Sequence, residues 1–186
     1  REKTGAGMMD CKEALAASGA DMTKAVEFLR KKGLATAQKR SGRATSEGTL
    51  AAYIHMGGKL GVLVEVNSET DFVAKNDQFQ EFAKNIAMHI AASSPLGIRP
   101  EDVPPEVVAK EREIYAAQAR ETGKPEKVIE KIVEGKLKKF FEDSCLLQQR
   151  YVRNPDITVG DLLNELIAKI GENISIRRFV RFQVGD

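Results

Sequence analysis

The run LGVLVEVNSETDFVAKNDQFQEFAKNIAMHI, residues 60–90, changes its hydrophobic period halfway along, and that change sets the fold class. Leu60, Val62, Val64 and Val66 alternate with their neighbours, which is the period-2 mark of a strand with one buried face. From Asn76 to Ser93 the period becomes helical: Phe79, Phe82, Ala83, Ile86 and Ile90 recur at spacings of three and four and define one buried face. A strand running through a short polar turn into an amphipathic helix, outside any alternating βαβ series, indicates an α+β fold rather than a doubly wound α/β one.

Outward from this segment, Leu50–Met56 is a second strand-like run, joined to the first by Gly57, Gly58 and Lys59, which predicts a β-hairpin. The closing stretch places Ile174, Ile176, Val180, Phe182 and Val184 on one side of a period-2 pattern, with Arg178 as its only polar member. A three-stranded antiparallel sheet is therefore expected. Pro105–Glu121 and Glu126–Leu147 read as two helices joined by Thr122–Pro125, a helical hairpin. The second carries Ile129, Ile132, Val133, Leu137, Phe140 and Phe141 as a stripe. A last helix starts at Thr158 with a capping-box-like Asp161 and buries Leu162, Leu163, Leu166, Ile167 and Ile170 before Gly171.

Upstream, residues 1–38 form a miniature helical module, with helices over Met9–Ser18 and Met22–Lys32 ended by Gly19 and Gly33. A unit this small is marginal alone and is expected to dock on a partner or on the main body. The opening Arg1, Glu2 and Lys3 read as the tail of a helix whose start is missing. Residues 39–48, small, polar and basic, read as a linker, and residues 49–186 as an α+β core.

Composition narrows the function. A hydrophobic fraction of 42% in 186 residues supports a packed core. With 29 basic against 27 acidic residues the net charge is only +2, so no global field draws the chain to nucleic acid, and no nucleic-acid partner is expected. The basic cluster Lys31, Lys32, Lys39, Arg40 and Arg43 reads as a solvated face. No apolar run approaches the roughly 20 residues of a membrane span, and the opening lacks a secretory signal, so a soluble intracellular protein is expected. Cys11 and Cys145 lie far apart and suit packing in a reducing compartment.

Catalysis has little to stand on: the histidines are His55 and His89, and no nucleophile–base–acid pattern is recognisable, so the chain is not read as an enzyme. Neither Gly5-Ala6-Gly7 nor Gly57-Gly58-Lys59 has phosphate-loop context, and no cofactor or metal is assigned. Asn173-Ile174-Ser175 matches a glycosylation acceptor but enters a predicted strand, so the match is read as coincidence.

Two segments are more specific. TGAGMMDCKEAL (residues 4–15) and VEVNSETDFVAKN (residues 64–76) resemble the two signatures of the elongation factor Ts family, and Ile86–Ser93 and Lys169–Arg178 also look like it. The resemblance implies a three-helix module similar to ubiquitin-associated domains, a linker, and an α+β core that binds elongation factor Tu in its GDP-bound and nucleotide-free forms. The implied role is a guanine-nucleotide exchange factor promoting GDP release during translation elongation, in bacterial cytoplasm or an organelle matrix or stroma. The match to Thr70, Asp71 and Phe72 implies that Asp71 and Phe72 are the key pair, with Phe72 inserted between helices of the GTPase. It also implies that His89 is a second contact, and that Met8 and Met9 lie where the small module touches the nucleotide domain. Ser68 stands where the family often carries Cys. Longer members have two related half-cores; the single core here, without an internal repeat, implies a homodimer, for which the closing strand is a sensible interface.

The residues themselves leave alternatives. Phe72 is either a projecting anchor or a staple packing back on its own helix. His89 sits about 80° off the centre of the buried stripe, beside an exposed Met88, or else is a core histidine with Met88 buried. Met8 and Met9 point in different directions, one inward and one outward. Two other function classes remain: a dimeric adaptor whose small module binds ubiquitin-like partners, and an RNA-binding translation factor using the basic linker.

Overall fold

The computed structural model describes residue 2 and residues 4–186, and the helix tail expected at Arg1 and Lys3 lies outside the described residues. The architecture is α+β. The chain divides into two compact units, one comprising residues up to Ala91 together with Asp161–Asp186, the other Ala92–Gly160.

The first unit is built on a three-stranded antiparallel sheet ordered β1–β2–β5, with β1 at Glu47–Ile54, β2 at Leu60–Ser68 and β5 at Ile174–Gln183. In the core-facing rows Ala51 lies opposite Val64, and Val64 opposite Phe179. Val62, Val64 and Val66 are buried, as are all five residues of the stripe on α4 (Asp77–Ser93) and Leu163, Leu166 and Ile167 on α7 (Val159–Ile170). Gly48 is fixed by close approach: its φ of 153° and the Val66 carbonyl oxygen, 2.3 Å from where a Cβ would sit, leave no space for a side chain.

β5 departs from the single-sided stripe read in the sequence. Glu65 lies opposite Arg178 while Val66 lies opposite Ile176, so Arg177 is an extra, bulged residue. The bulge flips the alternation. Ile174 and Ile176 face the core, whereas Val180 and Phe182 emerge on the opposite side, in rows with Leu63 and Gly61. With Leu50 and Ile54 from β1 they make an exposed apolar sheet face, on which Phe182 retains 73% of its surface. Arg178 is on this face too, its Nε donating to Glu65 Oε2 at 2.7 Å.

Among the described residues the N-terminal segment holds two helices, α1 (Met8–Ala17) and α2 (Met22–Arg40). Gly33 does not end α2, so Lys39 and Arg40, read as linker, are helical. The glycine has a different use: a Cβ there would lie 3.3 Å from the Ala168 Cβ, so its absence lets α2 come close to α7. Arg30 pairs with Asp161 at 3.1 Å and Arg40 Nη1 donates to the Ile167 carbonyl at 3.4 Å, binding α2 to both ends of α7.

In the second unit α5 (Pro105–Arg120) and α6 (Glu126–Ser144) pack through Val108, Tyr115, Ala116 and Ala119 against Ile129, Ile132, Val133 and Leu137. α6 stops at Ser144 rather than at Leu147 because the backbone bonds are diverted: the Leu146 and Leu147 amides donate to the carbonyls of Gly97 and Ile98. A short 3-10 turn at Pro100–Asp102 and a small ribbon, β3 (Arg150–Tyr151) and β4 (Asn154–Thr158), complete the unit; the sequence reading contains neither.

Gly48→Ala is expected to cost about 2 kcal/mol or more of unfolding free energy. Gly58→Ala, at φ 68° with open space around it, should cost about 1–2 kcal/mol. Urea unfolding of both variants at one protein concentration, followed by circular dichroism, checks the difference.

Candidate functional site

Strand β2 ends at Ser68, whose buried hydroxyl donates to the Thr70 carbonyl at 2.9 Å. The chain then turns sharply. Thr70 keeps an extended backbone (φ −127°, ψ 156°) and caps the single-turn helix α3 (Asp71–Ala74), its Oγ1 accepting from the Val73 amide at 3.4 Å. A second cap follows at once: Asn76 Oδ1 accepts from the Gln78 amide at 2.9 Å and starts α4. Two caps within seven residues hold α3 as a raised step between the sheet and the long helix.

Phe72 stands on that step with 82% of its surface exposed. The staple arrangement is therefore absent: Phe79 and Ile86 are fully buried without it, and Phe72 projects. Leaving an aromatic ring in water forgoes about 1.5–3 kcal/mol of apolar transfer, which is available to whatever covers it. Asp71 is engaged by Lys75 at 2.8 Å, one turn on, and this hydrogen bond holds its carboxyl below the usual range.

The other anticipated residues lie on separate elements. Met8 and Met9 open α1 and are both exposed, by 65% and 74%, rather than one inward and one outward. The only buried residue of α1 is Ala14, so its first turn has no core to enter. His89 is completely buried and Met88 half-buried, which selects the core-histidine alternative over the exposed flank. Ala87 and Ala91 are buried as well as the stripe residues, so the covered sector of α4 is wide enough to take in His89.

One group of residues the sequence reading did not bring together surrounds the foot of the step. Glu69 Oε1 accepts the Asn173 amide at 2.6 Å, while Glu172 Oε2 accepts the Thr70 amide at 3.1 Å and its Oε1 accepts the Thr70 hydroxyl at 2.7 Å. Asn173, which carries the apparent glycosylation motif, is buried, and its Nδ2 donates to the Arg43 carbonyl at 2.7 Å. The Asn173 amide, and then Arg43 at 3.4 Å, hold the Glu69 carboxyl below its ordinary range. Glu172 and Thr70 are 102 residues apart along the chain and Glu69 and Asn173 104, beyond the reach of local periodicity.

The basic cluster is largely engaged within the fold: Lys32 bonds Asp10 and Glu13, Arg40 bonds the Ile167 carbonyl, and Arg43 pairs with Glu69. Among the described residues no group of three or more His, Cys, Asp or Glu side chains could hold a metal. Cys11 and Cys145 are free thiols, and burial pushes the Cys145 thiol up to about 11, which suits packing rather than reactivity. No helix among the described residues is long and apolar enough to cross a membrane.

A family model described as elongation factor TS matches residues 21–186. Elongation factor Ts of Desulfosudis oleivorans is 66% identical over 186 residues, all of this chain and 94% of that protein. The proteins of the same name from Carboxydothermus hydrogenoformans and Geobacter metallireducens are 63% and 62% identical, each aligned over all of this chain and 86% of its own length. With the match running through the capped step and the strands that carry it, the chain belongs to the elongation factor Ts family.

Proposed function

We propose that the chain is a guanine-nucleotide exchange factor that binds elongation factor Tu and promotes GDP release during translation elongation. It performs no bond-making chemistry. It binds the nucleotide-free GTPase more tightly than the GDP-bound form, and by linkage each ligand weakens the other. The observation that carries this reading is Phe72, a nearly fully exposed aromatic on a doubly capped turn. Inserted between helices of the GTPase, it displaces elements that hold magnesium and phosphate; the metal belongs to the partner.

Burying one phenyl ring supplies about 1.5–3 kcal/mol, so binding is shared with other contacts. Asp71 and Thr70 frame the wedge, and Met8 and Met9 supply a flexible apolar contact to the nucleotide domain from the small module. His89 acts from within the core by fixing α4, the helix that follows the step. Helices α1 and α2 serve as a module similar to ubiquitin-associated domains, the stretch between Arg40 and Glu47 as its linker and the remainder as the core, with α5 and α6 as a helical hairpin. The relatives are bacterial proteins, and the place of action is the cytoplasm.

The factor works as a homodimer. Leu50, Ile54, Leu63, Val180 and Phe182 form an apolar sheet face bordered by the open edge of β5, and a second copy covers it.

Two outcomes are expected. Release of a fluorescent GDP analogue from elongation factor Tu, followed by stopped flow, should be strongly accelerated by the intact chain and about tenfold less by Phe72→Ala; no acceleration by the intact chain would sink the exchange reading. In analytical ultracentrifugation the intact chain should sediment as a dimer at micromolar concentration and Phe182→Asp as a monomer, while a monomeric intact chain would remove the dimer.

A further inference from the structure

The exchange reading names the wedge but not what aims it. No neighbouring side chain covers Phe72 enough to fix its direction, since most of the ring is exposed. Its aim is therefore set by the backbone of α3, a helix of four residues with little rigidity of its own. That backbone is set in turn by Thr70, and Thr70 by the turn between α7 and β5.

The hydroxyl of Thr70 has one proton to give. It accepts from the Val73 amide and donates to Glu172 Oε1 at 2.7 Å, while the Thr70 amide donates to Glu172 Oε2 at 3.1 Å. Both oxygens of one carboxylate thus hold both donors of one residue, a charge-assisted bidentate contact. The reverse bond runs from the Asn173 amide to Glu69 Oε1 at 2.6 Å. Each turn's glutamate accepts the amide that follows the other turn's glutamate, so neither turn can rotate without breaking both contacts. The Arg43 guanidinium lies beside Glu69, offsetting one of the two nearby negative charges.

We propose that Glu172 is a positioning residue for nucleotide exchange: through Thr70 it orients α3 so that Phe72 is presented to the GTPase at a fixed angle. This rests on the exchange reading above and adds to it a residue that touches neither GDP nor the wedge itself. Orientation matters because a wedge must enter at one angle, and small misplacements of a reacting or displacing group carry large kinetic costs.

The test is the plateau rate of fluorescent GDP-analogue release at saturating factor, measured for the intact chain, Glu172→Ala, Glu172→Gln, Phe72→Ala and Phe72→Ala with Glu172→Ala. Glu172→Ala is expected to lower the plateau about tenfold. Glu172→Gln, which keeps one acceptor oxygen, should fall between, and removing Glu172 should change nothing further once Phe72 is gone. A residue with only a structural role would lower the rate by the same factor in both backgrounds. That result, or a Glu172→Ala plateau equal to that of the intact chain, overturns the proposal. Should Glu172→Ala fail to fold, Glu172→Gln alone and combined with Phe72→Ala decides the matter by the same comparison. An intact chain that leaves GDP release unaccelerated refutes the exchange reading instead, and so is distinguishable from failure of this proposal.

Discussion

Strand β2 has a hydrogen-bonded neighbour on each side, and that double pairing is the constraint from which the rest follows. Its register is fixed by β1 and by β5, and its buried face, Val62, Val64 and Val66, is fixed by the core. A slip of one residue would turn all three valines to solvent. The end of β2 is therefore a rigid starting point, and the step bearing Phe72 begins three residues beyond it. Ser68, buried and bonded to the Thr70 carbonyl, passes the rigidity of the strand into the turn.

The bulge in β5 performs a complementary task. A strand with its apolar residues all on one side would bury them all and leave a polar outer face. One extra residue at Arg177 lets Ile174 and Ile176 serve this chain's core and releases Val180 and Phe182 to the outside. A single strand thus serves interior packing along one stretch and presents an exposed apolar face along the next, with Arg178 and Glu65 paired on that outer side near the change of face.

Much of this was legible in the sequence because it was written in local periodicity: the period-2 runs of β1 and β2, the α4 stripe, and the start of α7. The misread features share a cause. Gly33 carries the local signal of a helix stop, yet tertiary packing on Ala168 overrides it. The β5 stripe counts correctly by twos, but a bulge is set by the partner strand's register, which the stripe does not encode. His89 lies off the centre of its helix stripe, and only the width of the packed sector decides its burial. Of the site, the Thr70-Asp71-Phe72 motif was visible as a string, and its exposure was one of two open alternatives. The Glu69, Glu172 and Asn173 contacts join turns about a hundred residues apart and had no local signal; Asn173 stood out for a glycosylation pattern that its burial makes irrelevant.

The close approach of α2 to α7, permitted by Gly33 and fastened by Arg30 and Arg40, bears on how the factor leaves its partner as well as on how it arrives. Because α2 is fastened to α7 within the unit that carries Phe72, the exposed methionines of α1 and the exposed ring of Phe72 belong to one compact unit, so under the proposed exchange role engaging either would raise the effective concentration of the other. The same arithmetic runs in reverse. Under the same proposed role, two modest contacts can be lost one at a time rather than together.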